Sequence, residues 1–205
     1  MDRKIPENLE SIRNRLAGGK TCRVLGLGDS LTYGWEVNRG FFDRFCDALT
    51  QRFPIADVQR INAGIPGDTA CGGLARLDEL MATKPHLATI QFAINDCFGM
   101  VELEKFTDCM RNMSTRLVSS GAAVVLCTSC SVSHLDEAQD LAPFYHAIAR
   151  LAQQLDLPLA ELHDYWEAHA GITEELFGWD GIHPTDQGHE IMAQGLLATV
   201  LGDEN

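Results

Sequence analysis

The chain reads as an α/β fold, with one five-stranded parallel sheet in the order 2-1-3-4-5 and helices on both faces. Two observations carry this prediction. Short apolar runs alternate with helix-period stretches along the chain, which is the pattern of successive βαβ units. Three of the five runs are nearly uninterrupted, as strands covered on both faces must be. The other two are polar-interleaved or proline-led and suit the sheet edges. A length of 205 residues fits a single domain spanning 1–205.

A leading helix is predicted over Pro6–Ala17, where Leu9, Ile12 and Leu16 share a face and Gly18-Gly19 ends the run. The first strand, Cys22–Leu27, is apolar at its carboxyl end and is followed by a helix over Phe41–Phe53. In Val58–Ala63 polar side chains interrupt the strand, which marks an edge; a helix over Leu74–Thr83 follows. Leu87–Ile94 and Ala122–Thr128 are central strands, separated by a helix over Glu102–Ser119. A helix over Pro143–Leu155 leads to the short strand Pro158–Leu162, and Asp186–Leu201 is the last helix. Doubly wound sheets bind ligands beyond the carboxyl ends of their strands, near the switch between the first and third. Chemistry is therefore expected in the loops beginning at Gly28, Gly64, Asn95 and Ser129, and in the loop before the last helix.

Sixteen Lys+Arg against 29 Asp+Glu give a net charge of −13. That field repels phosphate backbones and anionic membranes, so nucleic acid is not an expected partner. No stretch of ~18 apolar residues is present to span a membrane. The N-terminal MDRKIPENLESIRNRLAGGK has no apolar h-region, so no signal peptide and a cytoplasmic location are expected. Seven cysteines are an odd number in a chain too long for a small secreted scaffold. Reduced thiols are expected rather than a disulfide framework. No His/Cys/Asp cluster has metal-ligand spacing, and neither metal nor cofactor is expected.

After the first strand comes Gly26-Leu27-Gly28-Asp29-Ser30-Leu31-Thr32-Tyr33-Gly34. A dinucleotide fingerprint would need a third glycine where Leu31 stands. Another reading is a nucleophile loop with Ser30 at the strand's carboxyl end; taken alone, a plain turn serine is the better one. In Asn62-Ala63-Gly64-Ile65-Pro66-Gly67-Asp68-Thr69, the Gly64 N–H can approach a substrate oxygen closely, although these residues also simply make a turn. Asn95 could donate to an anionic oxygen or merely cap a helix. In Asp180-Gly181-Ile182-His183-Pro184, the proline keeps His183 out of a helix, and Asp180 can turn back to accept from its imidazole. Each signal is weak alone. A serine, a glycine, an asparagine and an Asp-x-x-His on four loops at one sheet edge are the parts acyl transfer requires.

With these residues in this order, the chain resembles the SGNH (GDSL) hydrolases. Gly28-Asp29-Ser30-Leu31 looks like the family's first block, Gly64 its second, Asn95-Asp96 its third and Asp180-x-x-His183 its last. The resemblance implies a flavodoxin-like three-layer αβα fold and hydrolysis of esters or thioesters without metal or cofactor. It also implies Ser30 as nucleophile, His183 as base and Asp180 as its partner. The Ser30 N–H, the Gly64 N–H and the Asn95 side chain would form the oxyanion hole. The third block usually begins with glycine; here Ala93 stands in that place.

Two other functions share these strand ends. Cys127-Thr128-Ser129-Cys130 could serve a thiol redox protein, although no helix pattern follows at once to activate a thiol. A phosphate- or flavin-binding module would use the same loops without catalysis. For the hydrolase, Asp29, Trp35, Phe98 and Trp179 are expected on the substrate side. Met100, Val132 and Leu135 add apolar wall, and His134 lies in the same long loop. The substrate class is a small ester or thioester, and short acyl groups suit a chain with no long insertion to build a lid.

Overall fold

In the computed structural model, residues 7–133, 135–170 and 174–202 are described. The strands β1 (Cys22–Gly28), β2 (Val58–Gly64), β3 (Leu87–Gln91), β4 (Ala123–Cys127) and β5 (Leu159–Ala160) form one parallel sheet in the order β2-β1-β3-β4-β5. The expected order therefore holds. Registers are continuous through the centre: Gly28 pairs with Gly64 on one side and Gln91 on the other, and Gln91 pairs in turn with Cys127.

Helices cover both faces. One layer holds α1 (Glu7–Ala17), α3 (Phe41–Arg52), α9 (Leu162–Ala170) and α10 (Asp186–Leu201); the other holds α4 (Ala70–Ala75), α5 (Leu77–Met81), α7 (Leu103–Ser119) and α8 (Leu135–Leu155). Two short helices, α2 (Ser30–Tyr33) and α6 (Ile94–Phe98), start directly behind β1 and β3. β3 and β4 are buried at every residue, whereas β2 exposes Gln59, Arg60 and Asn62 and buries only Ala63, as an edge strand can. The core runs between the layers from Leu9, Phe41, Phe42 and Phe45 to Phe92, Phe106, Leu141 and Trp166.

The boundaries differ from expectation in three places. β3 stops at Gln91, and Ile94 opens a helix instead of ending the strand. The helix expected from Pro143 starts at Leu135 and carries Pro143 inside it. Proline is favoured in a first helical turn, which is why it imitates a start. Finally, Leu162 begins a helix whose apolar face includes Leu162 and Trp166, both fully buried one turn apart.

The expectation of wholly reduced cysteines is corrected. Cys71 on α4 and Cys109 on α7 form a disulfide, while Cys22, Cys46, Cys97, Cys127 and Cys130 take part in none. The two partners lie 38 positions apart, and only the packing of α4 on α7 brings them together. A disulfide suits an oxidising compartment better than a reducing one, so a cytoplasmic location loses the support that reduced thiols gave it. No described helix is long and apolar enough to cross a membrane.

Candidate active site

β1 runs straight into the turn that presents Ser30. Gly28 is required there: a Cβ would meet the Thr32 hydroxyl and the Gln91 carbonyl. Asp29 caps α2 by accepting from the Leu31 N–H at 2.9 Å, which makes Ser30 the first helical residue. First-turn N–H groups have no partner within the helix. The Ser30 N–H also finds none elsewhere among the described residues.

The histidine turn is closed on itself. Gly178 N–H donates to the His183 carbonyl at 2.7 Å, Thr185 N–H donates to the Leu176 carbonyl, and Phe177 bridges to Pro184. Within it, Asp180 Oδ1 accepts from the Ile182 and His183 N–H groups, each at 3.0 Å. Its Oδ2 accepts from His183 Nδ1 at 2.5 Å. Burial pushes the Asp180 carboxyl up, but the hydrogen bonds from His183 and Ile182 outweigh it and hold the group below its ordinary value. The other ring nitrogen, His183 Nε2, accepts from Ser30 Oγ at 2.9 Å. A hydroxyl, an imidazole and a carboxylate thus meet in one hydrogen-bonded line, across 153 positions of sequence.

The candidate oxyanion donors need one correction. Gly64 N–H is engaged, since it donates to Asn62 Oδ1 two residues back at 3.0 Å. Its neighbour Gly67 is different: φ is +79°, a Cβ there would meet nothing within 4 Å, and its N–H has no partner among the described residues. Asn95 Nδ2 donates to the Asp68 carbonyl at 3.0 Å, which sets the Asn95 amide against the Gly67–Asp68 segment. Asp96 braces this loop by accepting from the Ala70 N–H with both oxygens at 3.1 Å. Arg76 adds a second brace, reaching Asp68 Oδ2 at 2.8 Å and the Gly28 carbonyl at 3.2 Å. The sequence signal that could have singled out Gly67 is its place after Pro66, where a turn favours a residue tolerant of positive φ.

Ala93, standing where the family prefers glycine, is fully buried with φ +149°. Few L-residues adopt that conformation, so the preference for glycine has a backbone cause.

The expected substrate-side residues divide. Asp29 is 1% exposed and spends its carboxylate on Leu31 N–H and Gln91 Nε2, so it sits beneath the cleft and not in it. Burial raises its carboxyl to about 7. Trp35 is partly exposed, its ring tilted 6.4 Å from that of His183. Phe98 is partly exposed, and Trp179, 87% exposed, donates from Nε1 to Glu36 Oε1 at 3.2 Å. Met100 is exposed, whereas Val132 is buried and lines nothing. His134 and the Leu135 side chain lie outside the described residues. The redox alternative loses its basis, because Cys127 and Cys130 are free, buried and pushed up by desolvation, which makes a thiol inert. Among the described residues no three His, Cys, Asp or Glu groups are placed to hold a metal ion.

A doubly wound sheet with this serine–histidine–aspartate line at its carboxyl edge defines a hydrolase of the three-layer αβα class. The profile of the GDSL-like lipase/acylhydrolase family matches residues 27–191, and the chain belongs to that family. Its relatives include an arylesterase of Vibrio mimicus, 28% identical over 183 residues, covering 85% of this chain and 88% of that one. Esterase TesA of Pseudomonas aeruginosa is 31% identical over 111 residues, covering 54% of each chain. Among solved structures, TesA superposes with a TM-score of 0.76 at 24% identity, over 87% of this chain and 97% of that one. Axe2, an acetylxylan esterase from Geobacillus stearothermophilus, gives 0.79 at 19% identity, over 89% and 94%. These superpositions show the shared fold; the family match makes the chain a GDSL-type esterase.

Proposed function

We propose that the enzyme hydrolyses short-chain carboxylic esters through an acyl-enzyme on Ser30. The observation that carries this reading is the line Ser30 Oγ–His183 Nε2, His183 Nδ1–Asp180 Oδ2. His183 takes the Ser30 proton as Oγ attacks the carbonyl carbon, and Asp180 keeps the imidazole in the tautomer whose Nε2 is free to accept it. The negative charge forming on the carbonyl oxygen is met by the Ser30 N–H, the Asn95 amide and the Gly67 N–H. The tetrahedral intermediate collapses as the alcohol leaves with the proton from His183. Water then repeats the sequence on the acyl group and frees Ser30. A thioester can follow the same course, with a thiol as leaving group.

The same reading gives the substrate an orientation. The leaving oxygen must come within reach of His183 Nε2, so the alcohol lies on the side of Trp35, whose exposed ring can stack on a planar aryl group or a sugar face. Ile65, Phe98 and Met100, all exposed, border the loops of Gly67 and Asn95 with apolar surface suited to a small acyl group. A net charge of −13 disfavours polyanionic acyl donors such as acyl-CoA. The test is a chain-length series of p-nitrophenyl esters beside acetylated sugars and acyl-CoA, with Ser30→Ala as control. Turnover should be highest for acetyl and butyryl esters and absent in Ser30→Ala. Full activity in that variant would end the proposal.

A further inference from the structure

Gln91, the last residue of β3, is 1% exposed and bonded at every polar position. Its Oε1 accepts from Thr32 Oγ1 at 2.8 Å, while its Nε2 donates to Ser129 Oγ at 2.9 Å and to Asp29 Oδ2 at 3.2 Å. Asp29 and Thr32 lie on either side of Ser30 in the chain. A single buried amide therefore grips the serine turn both before and after the hydroxyl.

The same amide reaches the histidine turn. From Ser129 the chain runs buried through Cys130, Ser131 and Val132 to Ser133, whose N–H donates to the Gly181 carbonyl at 2.9 Å. The middle of that segment is fixed as well. Tyr145 OH donates to the Cys130 carbonyl at 2.9 Å, and Ser131 Oγ lies 3.1 Å from His163 Nδ1 and 3.3 Å from Glu167 Oε1. Gly181 sits between Asp180 and His183.

We propose that Gln91 is a positioning residue for ester hydrolysis: its amide sets the Ser30 turn and, through the buried segment Ser129–Ser133, fixes that turn against the one carrying His183. The inference rests on the reading of Ser30 as nucleophile and His183 as its base. Its physical ground is that the two groups belong to loops from opposite ends of the chain, and a misplacement of ~1 Å can cost on the order of a hundredfold in rate. Asp29, whose carboxyl burial raises, gains from the Gln91 N–H in its charged form.

Thr32→Val tests this with little change of shape, because it removes one hydroxyl and leaves Gln91 Oε1 without its donor. The expected result is a fall of about tenfold in kcat with KM unchanged, and an equal fall in the rate at which a fluorophosphonate labels Ser30. Thr32→Ser, which restores the hydroxyl, should recover most of both. Gln91→Leu removes all three bonds and should fall further; if it does not fold, the Thr32 pair decides. A lowered Tm with kcat and labelling rate intact at 25 °C would mean a merely structural role and would overturn the proposal. Ser30→Ala is assayed alongside. If it is inactive while Thr32→Val is fully active, this inference alone fails; if Ser30→Ala is active, the nucleophile reading fails and takes this inference with it.

Discussion

Asn95 Nδ2 donates to the Asp68 carbonyl at 3.0 Å, so the Asn95 amide and the Gly67–Asp68 segment are fixed to one another. Asn95→Ala therefore removes a side-chain donor and also unties the loop that carries the Gly67 N–H. The kcat on p-nitrophenyl acetate should fall by ~10²–10³, the usual cost of losing one oxyanion donor. KM should change little, because the interaction strengthens only as charge develops.

Ala93 holds φ +149° in the interior, a conformation that costs an L-residue ~1–3 kcal/mol. Glycine there would relieve that cost and forfeit ~0.4–1 kcal/mol through the greater freedom of the unfolded chain. Ala93→Gly should raise stability by about 1 kcal/mol, or ~2–4 °C in Tm. Differential scanning calorimetry measures it directly, and a lowered Tm would contradict the strain.

Two buried groups pull stability in opposite directions with pH. His189 is fully buried, and desolvation lowers it from 6.5 to about 4. The unfolded chain takes up this proton first as pH falls, so stability is lost between about 6.5 and 4, by an amount on the order of 3 kcal/mol. His189→Gln, whose side-chain oxygen can still accept from the Phe41 N–H, should lack that loss. Asp29, raised from 3.8 to about 7, behaves oppositely: the folded chain binds the proton more tightly, so stability falls as pH rises through that window. Asp29→Asn should remove this decline. Because the trends oppose one another, urea titrations of each variant against the parent at pH 4, 5.5 and 8 are the informative measurement.

The Cys71–Cys109 disulfide closes a loop of 38 residues between α4 and α7. Constraining the unfolded chain over that length contributes about 4 kcal/mol on the chain-entropy account. Cys109→Ser should therefore lower Tm by on the order of 10 °C while leaving kcat near the parent value at 25 °C. Unchanged Tm in a reducing-agent control would show that the bond does not form in solution.

The sequence carried the sheet order because burial leaves a direct mark on composition. Leu87–Gln91 and Ala123–Cys127 are covered on both faces, whereas β2 must place Gln59 and Arg60 in water. The Asp180–His183 pair was legible for a similar reason: three positions and a following proline leave few conformations open. The Gly64 N–H is taken by Asn62 only two residues back, and Gly67 follows Pro66, so both were within local reach of the sequence. The other missing parts depend on partners remote in sequence. The substrate-side expectation for Asp29 failed because its carboxylate is buried and bonded to Gln91, 62 positions away. Cys71 and Cys109 look unrelated until two helices pack. Pro143 imitated a helix start, and the strand run ending at Leu162 hid a helix that begins there.

The indole of Trp179 is nearly all in water and its residue directly precedes Asp180, which equips the enzyme with its own optical reporter. Trp166, wholly enclosed, should emit in the blue and be sheltered from aqueous quenchers such as iodide; Trp179, with the less exposed Trp35, should emit further to the red and be open to them. Red-edge emission can therefore follow ligand arrival at the histidine turn without an attached dye, and blue emission simultaneously reports whether the core stays intact.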